Sequence, residues 1–385
     1  MKSPLDGIRV LEFGHVAAGP FVGMVLADLG ADVVKIEPPA GDHMRRWPPF
    51  VELADGTEFS LNFASINRGK RSVSANLKDA VERDGIIELA KSADVIIENY
   101  RPGVLSKFGL GFDDIAEASS SEIVYCSLSG YGQTGPYRDR GAFDVVVQAE
   151  AGLMSVTGEP DGPPIKCGVP VGDFVPGLYA SVSILAGLET RRREKRSVHI
   201  DCPMISSLLA VSALQTSQYW GTGRSPLPLG SSHPRNAPYQ AFQAADRPFV
   251  LAAGTDSLWQ EVARAVGLEE LIEDPRFASQ SMRADHQKEL AVVLQERFSM
   301  RTAEEWLKEL RERGVPSGPV NTYADILADP HVAEIGLIQS MFLPDGSSTP
   351  TIRFPASMPG IAPTSAKAAP ALGHDTKDVF EDWLP

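Results

Sequence analysis

Residues 7–37, GIRVLEFGHVAAGPFVGMVLADLGADVVKIE, constrain the fold more than any other stretch of this chain. IRVLEF reads as a strand. Pro20 suits the first turn of a helix, and Gly30 suits its end. Between them Phe21, Val25 and Leu29 recur at helical spacing, with Val22 and Met24 alongside. DVVKIE reads as a second strand. Strand, helix and strand in so short a span make a βαβ unit, and such a crossover requires a parallel sheet.

The alternation continues. A helix near 80–92 leads to the strand Asp94–Glu98, and Pro102 opens a short helix. EIVYCSLS (122–129) is another strand, apolar helices follow near 145–154 and 177–190, and SVHID (197–201) is a further strand. The second apolar helix ends in RRREKR, cations that suit a helix C-terminus or simply a solvated helix end. GTGRSPLPLGSSHPRNAPY (221–239) is rich in Gly, Pro and Ser and reads as a linker. After it, FVLAAG is a strand and several amphipathic helices follow. One opens at Thr302, with Glu305 completing a capping box. GVPSGPVN (314–321) closes that region, and the tail carries short strand candidates among many prolines. No internal repeat and no low-complexity tract is found. The chain of 385 residues suits two or more domains at roughly 150 residues each. The expected division is a large α/β domain over 1–220, a linker over 221–240, a smaller α+β domain over 241–322, and a return segment over 323–385 packing on the large domain.

Composition then excludes several functions. The net charge of -14 opposes a nucleic-acid binder or a binder of anionic membranes, both of which need a basic face. An anionic small ligand, which meets only its own pocket, stays open. The three cysteines, Cys126, Cys167 and Cys202, lie far apart, so neither a disulfide framework nor a zinc site is expected. A reducing compartment fits them. MKSPLDGIRVLEF has no long apolar run after its lysine, and no stretch of about 20 apolar residues is apparent, so a signal peptide and a membrane span are not expected. A cytoplasmic location follows.

Two nucleotide motifs almost match. Glu37 ends the second strand, where an acid can hold a ribose, but the preceding turn is Gly14-His-Val-Ala-Ala-Gly19-Pro20. The G-x-G-x-x-G fingerprint is missing, and proline stands where a P-loop needs Lys-Ser/Thr. The seven histidines (His15, His43, His199, His233, His286, His331 and His374) show no metal-ligand spacing, so no metal is expected. No serine sits in a G-x-S-x-G elbow.

One carboxylate stands out. Asp173 lies in GVPVGDFVPG (168–177), a frame of glycine, proline and apolar residues. A solvated aspartate needs no such frame; a turn residue or a carboxylate held beside a ligand does.

The motifs VLEFGHVAAGP, DLGADVVKIEPPAGD, NRGKRSV, ADVIIENYRPGVLSKFGL, SLSGYGQTGP and VGDF, in that order, resemble the class III CoA-transferases (CaiB/BaiF, the formyl-CoA transferase and carnitine-CoA transferase group). GVPSGPVNTYADILADPHV and PALGHDTKDV extend the resemblance over nearly the whole chain. It implies that Asp173 is a covalent nucleophile and that Asp144, in GAFDVVVQAEAGLM, is a second acid beside it; read alone, Asp144 is equally a helix N-cap. It also implies that the loop His15, Val16, Ala17, Ala18 approaches coenzyme A, together with Asn99 and Tyr100. Arg68, Lys70 and Arg71 form the nearest basic cluster for the phosphates, and Lys107 replaces an arginine of the formyl-CoA enzyme. Pro38 replaces another, so the phosphate contacts are expected to differ. That enzyme also has a glycine run that closes over the intermediate and excludes water; LGSSHPRNAPYQ (229–240) keeps only Gly230. In this the chain looks more like the dicarboxylate-using members, and succinyl-CoA or a similar donor with a small carboxylic acceptor is expected. No cofactor beyond CoA as substrate is implied.

Two other readings remain. The α-methylacyl-CoA racemases share the fold and the aspartate, but carry a histidine where this chain has Phe143, which moves no proton. A non-catalytic CoA-binding scaffold has no use for Asp173. The fold implied is a large Rossmann-like domain and a smaller one, in a homodimer whose two chains interlock.

Overall fold

The computed structural model describes residues 3–358 and 368–384, in two compact units. The first comprises Met1–Leu153, Lys166–Arg224 and Pro330–Pro385, and the second Met154–Ile165 and Ser225–Asp329.

The first unit is built on six strands: β1 (Arg9–Phe13), β2 (Asp32–Glu37), β3 (Lys70–Ser74), β4 (Val95–Glu98), β5 (Val124–Ser129) and β6 (Val198–Pro203). They lie in the order β3-β2-β1-β4-β5-β6, and every pairing is parallel. Every residue of β4 and β5 is buried, as a parallel sheet covered on both faces requires. Alternate residues feed two cores. Val10, Val33, Val95 and Val124 pack on one side with the crossover helix α1 (Ala18–Asp28). Leu11, Val34, Ile96 and Tyr125 pack on the other with α2 (Ala80–Lys91) and with Trp383 of the C-terminal helix Thr376–Trp383. The chain runs outward from β1 to β3, then crosses to β4 on the far side of β1. The loops after β1 and β4 therefore diverge at the carboxyl edge, and a crevice opens there.

Strand β3 was not anticipated, and three of the expected helices differ from the sequence reading. After Pro102 there is only a turn, followed by a single 3-10 turn over Leu105–Phe108. The helix expected near 145–154 is shorter, α3 (Asp144–Glu150). The helix expected at 177 begins six residues earlier, as α4 (Val171–Glu194). Pro176 inside it has no N–H for the Gly172 carbonyl, a local cost that packing overrides. α4 is also long and apolar enough to cross a membrane by length and composition, contrary to the expectation of no such stretch. Here Ala180, Ile184 and Gly187 bury one side of it inside the first unit. α5 (Met204–Val211) follows β6.

The second unit carries a three-stranded antiparallel sheet, Tyr239–Gln243, Pro248–Ala252 and Ser317–Pro319, with the middle strand central. Helices close over it around Phe242, Phe249, Trp259, Phe298 and Trp306. The capping box forms: Thr302 Oγ1 accepts from the Glu305 N–H, and Glu305 Oε2 accepts from the Thr302 N–H.

Candidate active site

The loop after β1 is held from both sides. The His15 N–H donates to Asn99 Oδ1 at 2.8 Å, and Asn99 Nδ2 donates back to the His15 carbonyl at 2.9 Å. His15 Nε2 also meets the Tyr100 hydroxyl. Burial, and then the Lys35 charge, lower the basicity of His15, so the ring is neutral near pH 7. Its Nδ1 is buried with no partner. Val16 has φ of +63°, a left-handed conformation that a β-branched residue adopts only under constraint. The constraint is Asp42, whose Oδ1 and Oδ2 accept the Val16 N–H at 3.2 and 3.1 Å. No side chain caps the first turn of α1.

Asp173 stands in the first turn of α4, next to this loop. Two glycines explain its frame. A Cβ on Gly172 would lie 2.8 Å from the Asp144 carbonyl oxygen and 2.9 Å from Val147, so only glycine lets α3 approach so closely. A Cβ on Gly177 would lie 2.8 Å from the Phe21 ring, on α1. Asp144 sits behind Asp173: its Oδ1 accepts the Gly172 N–H and Gln148 Nε2, each at 2.8 Å. The Asp173 carboxylate has no hydrogen-bond or ion-pair partner among the described residues. Burial, and then the neighbouring Asp144 charge, push its pKa up to about 6. It is therefore a poorly solvated, mostly ionised carboxylate at neutral pH, which suits a nucleophile.

A cleft of about 280 Å³ opens over it, walled by His15, Val16, Ala17, Ala18, Asn99 and Tyr100 as well as Asp173. Residues from the loops after β1 and β4 and from α4 thus meet at one place. Arg101, Arg140 and Phe143 also line it. Phe143 is 75% exposed and offers the cleft a hydrocarbon face, which moves no proton. A second cavity of about 240 Å³, walled mainly by apolar groups and including Pro38 and Lys78, shares Tyr100 with the first.

The basic cluster expected to hold phosphates is not at the cleft. Lys70 is buried, and its Nζ lies 2.7 Å from Glu12 Oε2 and 2.7 Å from the Pro20 carbonyl. Arg68 pairs with Asp28 at 2.6 Å, and Arg71 pairs with Asp32 and Asp382. All three cations are already paired, because strand β3 and its lead-in sit against carboxylates of β1, α1, β2 and the C-terminal helix. Lys107 is exposed on the 3-10 turn. Gly230 belongs to the second unit, where it has φ of +60° and its N–H donates to the Gly158 carbonyl at 2.8 Å. Sequence reasoning missed Arg101, Arg140 and Gln148. Arg101 had a signal, since it directly follows Asn99 and Tyr100 in the quoted NYRPG stretch.

Residues 5–376 match the family model of CoA-transferase family III. The chain is 37% identical over 384 residues to the succinate–glutarate CoA-transferase of Agrobacterium fabrum, covering 99% of this chain and 96% of that protein. It is 38% identical over 390 residues to the succinyl-CoA:glutarate CoA-transferase of Homo sapiens, covering 99% of this chain and 86% of that protein. Among solved structures, a CaiB/BaiF family protein from Brucella suis superimposes with a TM-score of 0.90 at 36% identity, over 100% of both chains.

Proposed function

The chain belongs to CoA-transferase family III, and we propose that it moves CoA from succinyl-CoA, or a similar donor, to a small carboxylic acid through an aspartyl-CoA thioester on Asp173. The observation that carries this reading is the Asp173 carboxylate: unpaired, raised to a pKa of about 6, and opening on a cleft beside the His15–Ala18 loop.

The chemistry follows from that carboxylate. Asp173 attacks the acyl-CoA carbonyl; a C–O bond forms, the C–S bond breaks, and CoA leaves as a thiolate. The product is a mixed anhydride. The thiolate then attacks the aspartyl carbonyl, forming a C–S bond and expelling the donor acid as its carboxylate. An acceptor carboxylate reverses both steps. One thioester is exchanged for another, so the reaction balances without ATP or metal. The narrow cleft, with its apolar Val16, Ala17 and Ala18 wall, suits a pantetheine arm, and the cavity beyond Tyr100 suits the nucleoside end, with Lys78 at its wall.

Names of the relatives support succinyl and glutaryl groups as the acyl class. Arg101 supports it independently. Its guanidinium is exposed, lines the cleft and has no partner among the described residues, which suits the second carboxylate of a dicarboxylic acid. A homodimer is part of this reading, supported by Leu178, Val182 and Leu185 exposed along α4 and by Leu214 and Trp220 beyond it. Light scattering at a monomeric mass would oppose it. A reducing, cytoplasmic setting accords with the three free cysteines.

Intact-mass spectrometry after incubation with succinyl-CoA tests the whole. A CoA thioester, trapped with hydroxylamine or borohydride and mapped to the peptide holding Asp173, is expected. No adduct on protein that binds CoA would reject the mechanism.

A further inference from the structure

Gln148 lies on α3, one turn beyond Asp144, and is 1% exposed. Its Nε2 donates to Asp144 Oδ1 at 2.8 Å, and its Oε1 accepts the Cys167 N–H at 2.9 Å. An amide has one donating end and one accepting end. The backbone N–H of Cys167 claims the oxygen, so the amino group must face the carboxylate. A flipped amide would set oxygen against oxygen. Asp144 Oδ1 in turn accepts the Gly172 N–H. A continuous chain therefore runs from Cys167 through Gln148 and Asp144 to Gly172, and it ends one residue before Asp173.

We propose that Gln148 is a positioning residue for acyl transfer: it locks the Asp144 carboxylate in one orientation and thereby sets the place of Asp173 against the thioester. This rests on the reading of Asp173 as the nucleophile. Two features separate this role from mere packing. The adjoining core patch of Val147, Met204 and Leu208 supplies no donor, so besides the Gly172 N–H only Gln148 is seen to hold Asp144. And a neutral donor is the one group that satisfies Asp144 without altering the charge beside Asp173. A cation there would lower the nucleophile's pKa and quench it, and an anion would raise it further. The charged groups around Gln148 are few. They are Asp144 and Glu150 on α3, the latter facing Arg140 at 4.0 Å, Asp173 on α4, and Lys166, whose exposed ammonium bonds the Cys167 carbonyl at 3.0 Å. The Cys167 thiol adjoins them, and α5 carries no charged residue.

The test compares single-turnover formation of the aspartyl-CoA thioester from succinyl-CoA in three variants of the full chain. Gln148→Met keeps the length and deletes both hydrogen bonds. It is expected to slow the step about 10- to 100-fold, the cost of a small misplacement, with KM for succinyl-CoA within about twofold. Gln148→Glu keeps the acceptor for Cys167 and turns a second oxygen toward Asp144. It is expected to move the midpoint of the pH–rate profile upward, which a purely structural defect would not do. In an Asp144→Ala background, Gln148→Met should add almost nothing, because Gln148 acts through Asp144. If Gln148→Glu does not fold, the other two variants decide. Wild-type rates in Gln148→Met, or a full additional loss in the Asp144→Ala background, would overturn the role of Gln148 while leaving the nucleophile intact. Absence of the Asp173 adduct from the wild-type protein would overturn both.

Discussion

Lys35 Nζ lies 3.0 Å from Asp42 Oδ2, and both side chains are wholly buried. The same ammonium reaches Glu12 Oε1 at 3.0 Å and the Gly14 carbonyl at 2.5 Å. Burial alone would pull Lys35 down, but Glu12, Asp42 and Glu37 outweigh it and hold it charged. Asp42 is likewise kept below the usual carboxylate range: burial opposes ionisation, and Lys35 and the Met44 N–H overcome it. The pair matters because Asp42 is what holds the Val16 N–H in its strained conformation at the cleft. Lys35→Met leaves the buried Asp42 without its cation, while Glu12 keeps Lys70, and is expected to cost about 3–5 kcal/mol in equilibrium urea unfolding. Acyl-CoA KM should rise as the Val16 loop relaxes. A variant with native unfolding midpoint and native KM would show that the network does not support the loop.

Attack on the thioester requires Asp173 ionised. Its pKa stands near 6, so the rate of CoA release in a single turnover should climb through that pH and level off above about 7. Burial is the larger cause and Asp144 the second. Asp144→Ala should therefore shift the midpoint downward, toward the ordinary 3.8, without reaching it. Rapid-quench measurements from pH 4.5 to 8 decide the matter. A profile flat across pH 5 to 7 would mean that some other group limits the step.

The same shift has a stability consequence of opposite sign to activity. The folded pKa of about 6 exceeds the unfolded value near 3.8, so the folded state binds the proton more tightly. Stability from this group is complete below about 3.8 and is lost as pH rises through 6. At pH 7.5 the ionised Asp173 therefore destabilises the fold, by on the order of 1–3 kcal/mol after allowing for its partial exposure. Asp173→Asn should be inactive yet more resistant to urea at pH 7.5, with the difference shrinking toward pH 4. Equal stability at pH 7.5 would show that the carboxylate is solvated rather than held against its preference.

Five of the six strands were legible because their signal is local; β3 was read only as a basic motif. Alternating apolar strands and a helix between Pro20 and Gly30 need no partner to be recognised. The start of α4 was not legible, because Gly172, Pro176 and Gly177 all disfavour helix, and what overrides them is the approach of Asp144, Val147 and Phe21 from distant segments. The cluster Arg68, Lys70 and Arg71 misled for a related reason. Three close cations look like a solvated patch, but β3 turns Lys70 inward to Glu12, while Arg68 and Arg71 meet Asp28 and Asp32. Asp173 stood out through its unusual frame and its family resemblance. Gln148 had no signature at all, since an uncharged amide in an apolar helix reads as nothing until its two partners are in place.

On the proposed function, acceptor choice is expected to turn on Arg101. A Cβ on Gly141 would lie 2.8 Å from Arg101 Nη2, so the guanidinium rests against that backbone, next to Arg140. Arg140 itself lies 3.6 Å over the Tyr137 ring. Arg101 alone of these two has no partner that neutralises or stacks on it among the described residues. A dicarboxylic acid bonded at Asp173 through one end presents its other carboxylate a few ångströms along the cleft, where a planar fork of donors can take it in two hydrogen bonds. Such a charge-assisted contact is worth about 1.5–3 kcal/mol, or roughly 10- to 150-fold in kcat/KM. Arg101→Met should lose that factor with glutarate and succinate as acceptors, while acetate and other monocarboxylates, poor at the outset, stay unchanged. Arg101→Lys should recover part of the loss, because it restores the charge without the fork. If Arg101→Met lowers all acceptors equally, the residue serves CoA or the loop instead, and the distal carboxylate is bound by other groups.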